Sequence, residues 1–229
     1  MRRCLSPCAR STPWLGLAVA LLAGCGSSSS GVGISSKTAQ QIVAASRAAA
    51  AGAATVHVSG SVHSAGGPLS LDLYLVGGEG GYGRIAQGSL HFSVIRIGRF
   101  AYIKGNPALY RRLGAPLARD LRGGWLKAKT SGGLAPFASL TNLEYLVDTA
   151  LRSHGTLARK GTSTVDGRKV VAIGDLTVGG TLYVAADGSP YPVEVHTPSA
   201  GTIRFDRWNQ PVTLTAPTDA LNVNQLVGR

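Results

Sequence analysis

The chain has 229 residues, of which 44% are hydrophobic and only 15% are charged, and its formal net charge is +12. This composition favours an ordered chain over an intrinsically disordered one, because enough apolar side chains are present to form a core. After residue 24, no apolar run reaches the ~20 residues that a membrane-spanning helix needs.

The first 25 residues have the pattern of an export signal. MRRCLSPCAR contains three arginines and no acidic residue, and ten apolar or small residues follow from Trp14 to Ala23. Such a run matches the hydrophobic region of a signal peptide. An ordinary signal peptide, with Cys25 incidental, is one interpretation. The stretch Leu22-Ala23-Gly24-Cys25 resembles a bacterial lipobox, which implies that residues 1–24 are removed and that Cys25 is acylated.

Removal of the signal peptide also removes Cys4 and Cys8, so Cys25 is the single cysteine of the mature chain. This excludes an internal disulfide, a cysteine metal cluster and a CxxC redox pair. Residues 25–35 then form the lipidated cysteine and a Gly/Ser tether with a reach of ~17 Å. Residues 36–229 are long enough for a single domain. We predict that it lies at the extracytoplasmic face of the cell membrane, since two or more acyl chains anchor a protein stably.

A helix is predicted to follow an N-cap at Ser36 and to end at Gly52, because KTAQQIVAASRAAAA is rich in strong helix formers. From Thr55 onward, apolar residues recur at every second position, as in TVHVSGSV and LSLDLYLV, which is typical of strands. Further strand candidates are SLHFSVIRIG, RFAYIKG, KVVAIGDL, GTLYVAADG, YPVEVHT, TIRFDRW and PVTLTA. Turns such as Asp166-Gly167 and Asp187-Gly188 indicate antiparallel pairing with one apolar face.

Helical patterns interrupt the strands in the middle of the chain. Asn106-Pro107 is a favourable N-cap and first turn for the helix ALYRRL, and PLARDL is predicted to form a second short helix. In TNLEYLVDTALRS, Thr141 and Glu144 are predicted to form a capping box before an apolar helix face. The sequence therefore predicts an α+β fold, with an N-terminal helix, nine to eleven antiparallel strands and a helical insert. The many glycines suit a strongly curved sheet.

Four segments carry a resemblance to a known family. GRFAYIKG, GGWLKAKT, DGRKVVAI and LYVAADGSPYPVEV occur in this order, and they resemble the LppX/LprG group of actinobacterial lipoproteins, which is similar in fold to the LolA/LolB carriers. The resemblance covers roughly residues 36–227. It implies an open half-barrel whose concave face is covered by helices over a hydrophobic cavity. It also implies that the protein binds an acylated lipid or a lipoglycan and assists its transfer in the cell envelope.

The predicted ligand-binding residues are the inward-facing apolar residues of the alternating strands. They are Leu71, Leu73, Leu75, Phe92, Val94, Leu182, Val184 and Phe205. Alternation leaves two interpretations open, because a solid core and a hollow cup require the same apolar rows. The aromatic content of 6% and the absence of methionine from the mature chain favour a hollow cup.

Positive charge is concentrated in the central segment, where eleven basic and three acidic residues lie between Arg99 and Lys160. Arginines of the helical insert are predicted to contact anionic lipid headgroups, since each basic residue near such a surface contributes ~1 kcal/mol. They are Arg111, Arg112, Arg119 and Arg122. A merely solvated basic face is the alternative. Nucleic acid is not expected as a partner, because the chain is exported and no aromatic residues interleave with the basic run.

The sequence contains no GxSxG, HExxH or phosphate-binding glycine motif. His57 and His63 share a strand face but lie ~20 Å apart at ~3.3 Å per residue, too far for a shared metal ion. Both are predicted to be exposed, as is His196, and His154 is predicted to lie at a helix C-terminus. We therefore predict no enzyme, no metal and no cofactor. An anchored envelope sensor or protein-interaction module, in contact with another envelope protein, is the alternative to a lipid carrier.

Overall fold

The computed structural model describes residues 33–114, 123–131, 135–152 and 155–223. Within these residues the chain forms one compact unit. Its α-helices are α1 (Ala39–Ala51), α2 (Pro107–Leu113), α3 (Ala135–Ser139) and α4 (Leu143–Ala150). None of these helices is long and apolar enough to cross a membrane.

Twelve strands within the described residues form a single sheet. They are β1 (Thr55–Ser64), β2 (Gly67–Val76), β3 (Gly80–Gln87), β4 (Leu90–Ile97), β5 (Phe100–Gly105), β6 (Leu126–Lys129), β7 (Leu157–Val165), β8 (Arg168–Asp175), β9 (Thr181–Ala185), β10 (Pro192–Thr197), β11 (Gly201–Asp206) and β12 (Leu221–Asn222). Their spatial order is β12-β6-β5-β4-β3-β2-β1-β11-β10-β9-β8-β7. Only β12 pairs in parallel, with β6, and the other neighbours are antiparallel. Because β12 and β7 are free edges, the sheet is open, and the predicted α+β class is confirmed.

Two meanders and two crossovers, from β6 to β7 and from β11 to β12, produce this strand order. Strands β1 to β6 pair successively, and β7 to β11 do the same in the other half of the sheet. Pairing of β11 with β1 joins the two halves. The connection from β6 to β7 contains α3 and α4, which cover one face of the sheet. We call this face the inner face.

The predicted alternation identifies the inner face correctly. In β2, Leu71, Leu73 and Leu75 are buried, whereas Asp72 and Tyr74 lie on the outer face. The main hydrophobic core lies between the inner face and the helices α2, α3 and α4. Each fully buried leucine, valine or phenylalanine in it contributes roughly 1.5–3 kcal/mol. A second, smaller cluster packs α1 against β8 and β9.

Helix α1 begins later than predicted. Its N-cap is Thr38 and not Ser36, because Thr38 and Gln41 form a reciprocal capping box. Thr38 Oγ1 accepts a hydrogen bond from the Gln41 N–H at 3.3 Å, and the Thr38 N–H donates to Gln41 Oε1 at 3.0 Å. Ser36 instead ends a short 3-10 helix, Ile34–Ser36. The predicted end of α1 at Gly52 is confirmed.

Helix α2 begins as predicted. Asn106 is the N-cap, Pro107 occupies the first turn, and Asn106 Oδ1 accepts a hydrogen bond from the Leu109 N–H at 3.1 Å. The helix ends at Gly114, whose N–H donates to the Tyr110 carbonyl at 3.0 Å. The other predicted helix of the insert, PLARDL, lies outside the described residues.

The predicted capping box of Thr141 and Glu144 is wrong. The N-cap of α4 is Asn142, because its Oδ1 accepts a hydrogen bond from the Tyr145 N–H at 3.0 Å. The Thr141 hydroxyl donates instead to the Ala138 carbonyl at 2.8 Å. An asparagine one residue later therefore replaced the threonine as the cap, in agreement with the strong preference of asparagine for this position.

Four strands were not among the predicted candidates, namely β3, β6, β7 and β12. Strand β3, GGYGRIAQ, has glycines where alternation requires apolar side chains, and β7, LARKGTSTV, is an edge strand with mostly exposed residues. The predicted strand PVTLTA is irregular instead. The predicted nine to eleven strands therefore become twelve, and the last of them has only two residues.

Glycines within the strands allow close approach of neighbouring backbones. Gly60 in β1 and Gly83 in β3 have φ angles of +147° and +158°. A Cβ atom would lie 2.2 Å from the Thr202 carbonyl oxygen at the first position and 2.0 Å from that of Asp72 at the second. Both positions therefore require glycine, as expected for a strongly coiled sheet.

Candidate functional site

A cavity of about 580 Å³ lies between α4 and one end of the inner face. It is located where β1 ends and β2 begins, and where the β8–β9 and β10–β11 connections turn. Its sheet side is apolar and includes Leu69, Leu71, Leu182, Val195 and Ile203, and its helix side includes Leu146 and Ala150. We call this part of the inner face the cavity region.

Large side chains fill the other end of the inner face. Leu73, Leu75, Val94 and Ile103 are 0% exposed and belong to the same buried cluster as Leu143 of α4. We call this part the packed region. Small residues contribute to the lining of the cavity, among them Thr149 and Ala150 of α4 and Gly180, Ala200 and Gly201 of the turns.

Two of the eight predicted ligand-binding residues, Leu71 and Leu182, line the cavity. The other six lie elsewhere on the inner face among packed side chains. They are Leu73, Leu75, Phe92, Val94 and Phe205 in the main core and Val184 in the cluster under α1. Phe92, for example, meets Phe137 of α3 edge to face, with ring centroids 5.0 Å apart. Val195 and Ala150 also line the cavity and were not among the predicted residues, although alternation in YPVEVHT placed Val195 on a strand.

Polar and charged side chains surround the mouth of the cavity, among them His63, Arg152 and Asp175. Arg152 donates to Asp148 at 3.1 Å, one helical turn away. Asp175 Oδ1 accepts a hydrogen bond from the Thr177 N–H at 2.8 Å. The cavity therefore combines an apolar interior with a charged rim, which suits an amphipathic ligand.

Two arginines hold α4 over the cavity. Arg96 of β4 donates to the Thr141 carbonyl, at 3.4 Å from Nε and 3.2 Å from Nη2, just before α4 begins. Arg47 of α1 donates from Nη2 to the Leu151 carbonyl at 2.6 Å, just after α4 ends. A cation at this end of a helix is favoured by the helix dipole. Burial lowers the pKa of Arg96 from its ordinary value.

The structure describes two of the four arginines that were predicted to contact lipid headgroups. Arg111 and Arg112 lie in the last turn of α2, and both are exposed. Neither forms an ion pair within the described part of the chain. Arg119, Arg122 and the acylation candidate Cys25 lie outside the described residues, so their roles stay predictions.

The prediction that His57 is exposed is wrong. Its side chain is only 12% exposed and lies between two carboxylates. Nδ1 is 2.6 Å from Asp206 Oδ1, and Nε2 is 3.1 Å from Asp72 Oδ1. A hydrogen bond from Arg84, at 2.9 Å, and the one from His57 lower the pKa of Asp72. These bonds link β11, β1, β2 and β3 across the outer face.

The remaining histidines have different environments. His63 is exposed, as predicted, and borders the mouth of the cavity. His196, which was predicted to face solvent, is half-buried, with Nδ1 2.9 Å from Thr202 Oγ1. His154 lies outside the described residues. Across the residues that the structure describes, no group of three or more His, Cys, Asp or Glu side chains could hold a metal ion.

The described fold is an open, mostly antiparallel sheet with an apolar cavity beneath a helix, and solved structures of similar fold match it. LprF from Mycobacterium bovis matches with a TM-score of 0.51 at 16% identity, over 78% of this chain and 96% of that chain. This likeness shows that the chain has the LprF fold, and at such identity it shows the fold alone. The resemblance to the LppX/LprG group is thereby confirmed at the level of the fold.

Two further solved structures match with lower scores. Lipoprotein LppX from Mycobacterium tuberculosis matches with a TM-score of 0.48 at 18% identity, over 77% of this chain and 98% of that chain. A LolA superfamily protein from Nitrosomonas europaea has a TM-score of 0.24 at 9% identity, over 77% and 94% of the two chains. Neither score supports a further argument. No family model and no curated protein matches the sequence.

Proposed function

We propose that this protein is a membrane-anchored extracytoplasmic lipoprotein that binds an acyl chain of a lipid or lipoglycan and assists its transfer in the cell envelope. The observation that supports this function is the apolar cavity of about 580 Å³ with its charged rim. This volume lies within the range of roughly 300–1,000 Å³ that is typical of ligand pockets. An acyl chain suits such a site, because each buried CH₂ group contributes ~0.8 kcal/mol.

In this proposal the acyl chain contacts the cavity region only. Leu71 and Leu182 contact the chain, together with Val195 and Ala150, while the headgroup stays at the rim beside Arg152. The other six predicted residues, which are packed in the main core or under α1, support the fold and do not contact the ligand. In this proposal the residues of the cavity region supply binding, as a carrier requires.

The entry of the chain into the fold supports a cavity that lies close to the membrane. Ile34 is buried in one cluster with Leu157 and Ile173, and the latter two line the cavity. Arg159 of β7 donates to the Ser35 carbonyl at 2.6 Å. The last residues of the predicted tether, Ile34 and Ser35, are therefore part of the fold and not of a free linker, and they lie beside the cavity. With a tether reach of ~17 Å, an acylated Cys25 keeps the cavity near the bilayer.

The position of α2 supports the same orientation. Leu71, Ile85, Phe92 and Gly105 are successive neighbours across β2, β3, β4 and β5, and α2 begins directly after Gly105. The exposed arginines of α2 therefore lie at the end of the strands that borders the cavity. We infer that they contact anionic headgroups of the membrane that carries the anchor.

Native mass spectrometry of residues 36–229, produced without the signal peptide and Cys25, tests the carrier function. A co-purified acylated mass is expected. Leu182→Trp should lose it, because the indole would occupy the cavity, whereas the matched control Tyr183→Trp, on the outer face of the same strand, should retain it. A ligand-free parent that also takes up no fluorescent fatty acid would contradict the proposal and favour the sensor or interaction module.

Anchoring is tested separately with Cys25→Ala in the full chain. We expect the variant to lack lipid, and either to accumulate as unprocessed precursor or to appear as released protein. Detergent phase partitioning of the parent and the variant measures the difference. A variant that partitions into detergent as the parent does would show that Cys25 is not the anchor.

A further inference from the structure

The outer face of the sheet carries a second hollow, with a volume of about 510 Å³, across β2, β3, β4 and β5. Its polar lining consists of Ser70, Asp72, Arg84, His91, Ser93 and Lys104. Ala86 also lines it, and its short side chain leaves the space open. This hollow lies on the opposite face of the sheet from the acyl cavity, and the proposed function does not use it.

The strand register brings two cations to one serine. Ser93 of β4 is paired with Arg84 of β3 on one side and with Lys104 of β5 on the other. Directly opposed side chains have Cβ atoms roughly 4.5–5.5 Å apart, so both cations can reach a small ligand above Ser93. His91 lies two residues before Ser93 on the same face, and its imidazole borders the same space.

The one carboxylate among the lining residues is already compensated. Asp72 Oδ1 lies 3.1 Å from His57 Nε2, and Asp72 Oδ2 accepts a hydrogen bond from Arg84 Nη2 at 2.9 Å. The Arg84 side chain is 78% exposed, and its guanidinium has further N–H donors besides the one that Asp72 uses. Lys104 is exposed and forms no ion pair within the described residues.

We propose that this outer hollow binds a phosphoryl group, held by the Arg84 guanidinium, the Lys104 ammonium and the Ser93 hydroxyl. Phosphate oxygens are strong acceptors, and their hydrogen bonds to arginine and lysine are charge-assisted. The phosphoryl group belongs either to free phosphate or to a lipid headgroup. The exposed arginines of α2 lie at the same end of β5 as Lys104. A lipid headgroup bound in the hollow would therefore lie at the same cationic end of the sheet.

The test uses the full chain, purified in a neutral detergent and titrated with inorganic phosphate at constant ionic strength. Amide chemical shifts of Ser93 and Lys104 should change saturably. Lys104→Gln should weaken the apparent affinity about tenfold, as expected for the loss of a charge-assisted hydrogen bond, and Ser93→Ala should weaken it less. The matched control is Lys169→Gln, at an exposed lysine of β8 outside the hollow, and it should leave the affinity unchanged.

In a second titration, neutral micelles doped with phosphatidylglycerol replace the free phosphate. Comparison of the two titrations identifies the source of the phosphoryl group. Saturation by phosphate assigns the site to free phosphate, and a response to doped micelles alone assigns it to a headgroup. The absence of a response in both titrations, an equal response to chloride, or a response that Lys104→Gln leaves unchanged would overturn the proposal. Uptake of a fluorescent fatty acid should be unaffected by Lys104→Gln, so this result is independent of the acyl cavity.

Discussion

The packed region and the cavity region have the same sequence pattern and different interiors. Leu71 and Leu73 are two residues apart in β2, yet Leu71 borders a cavity of about 580 Å³ and Leu73 is completely buried. Helix α4 differs along its length, because Thr149 and Ala150 line the cavity, whereas Leu143 is not a lining residue and is buried in the main core. Alternation within a strand therefore determines which face is buried, and side chains of remote elements determine whether that face is filled.

The largest difference between the packed region and the cavity region is expected in the free energy of unfolding when a leucine of each region is truncated. Leu73→Ala should lower the free energy of unfolding by about 2–5 kcal/mol, because the loss of a fully buried side chain leaves a void. Leu69→Ala, at the wall of the cavity, should cost less than about 2 kcal/mol, because it only enlarges an existing space. Urea denaturation of residues 36–229 measures both values.

The outer-face variant Ser70→Ala is the matched control for this pair, since Ser70 lies next to Leu69 and is exposed. It should change the free energy of unfolding by less than about 0.5 kcal/mol. Equal losses for Leu73→Ala and Leu69→Ala would mean that the two regions are packed alike.

Enlargement of a side chain is expected to have opposite consequences in the two regions. Leu73→Trp overpacks the core and should cost about 1–3 kcal/mol, with a lower Tm. Leu182→Trp places its ring in the cavity, so its Tm should be unchanged or higher while uptake of a fluorescent fatty acid falls. Thermal melting and a fatty-acid displacement assay measure the two effects. A loss of stability in both variants would show that the cavity is too small for an indole.

Local patterns account for the parts of the fold that the sequence predicted. Alternation and turn residues identified β2 and β4, and Asn106-Pro107 identified the start of α2, because each signal lies within a few residues of the element. The same signals are absent from the glycine-rich β3 and from the polar edge strand β7. Those two strands are stabilised by pairing with neighbouring strands, and such pairing cannot be recognised from the local sequence.

The contacts that the sequence did not predict join residues far apart in the chain. His57 binds Asp206, which is 149 positions away, and Asp72, which is 15 positions away. Leu71 and Leu182 were predicted as lining residues from the strand pattern together with the family resemblance. Whether they border a cavity depends on α4, whose register over the sheet is set by hydrogen bonds to Arg96 and Arg47. Without the strand order, these distances are not available from the sequence.

Charge removal at the two ends of β5 tests whether the cavity end faces the membrane. Arg111→Gln with Arg112→Gln, at the cavity end, should weaken binding to anionic vesicles by ~1 kcal/mol per residue. Arg99→Gln with Lys129→Gln, at the packed end, removes the same charge and should have little effect. Co-sedimentation of residues 36–229 at 0.1 M and 1 M salt measures binding, since the Debye length falls from ~10 Å to ~3 Å.

Equal weakening by the two double variants would show that binding depends on net charge and not on orientation. Binding that is independent of salt would contradict an electrostatic contact altogether. Either result would assign Arg111 and Arg112 to a solvated surface.

The smallest expected effect is on the outer face, where Asp72 lies between Leu71 of the cavity region and Leu73 of the packed region. A hydrogen bond from Arg84, which is the largest cause, and one from His57 hold the pKa of Asp72 below its ordinary value of 3.8. The folded state therefore favours the ionised carboxylate. The resulting stabilisation is complete above the ordinary pKa and is lost as the pH falls through the lower pKa of the folded state.

Asp72→Asn should lower the free energy of unfolding at pH 7 by no more than about 1 kcal/mol, because the carboxylate is partly exposed and its ion pair is screened by solvent. The difference between parent and variant should shrink as the pH falls from 5 to 2, since the parent alone loses this contribution. Urea denaturation at each pH measures it, and Arg84→Gln, which removes the principal cause of the pKa shift, should reduce the difference at pH 7. A parallel loss of stability by the parent and the Asp72→Asn variant over this range of pH would contradict this expectation. That result would show that the outer-face hydrogen bonds of Asp72 contribute nothing to stability, and that the inner face alone stabilises this part of β2.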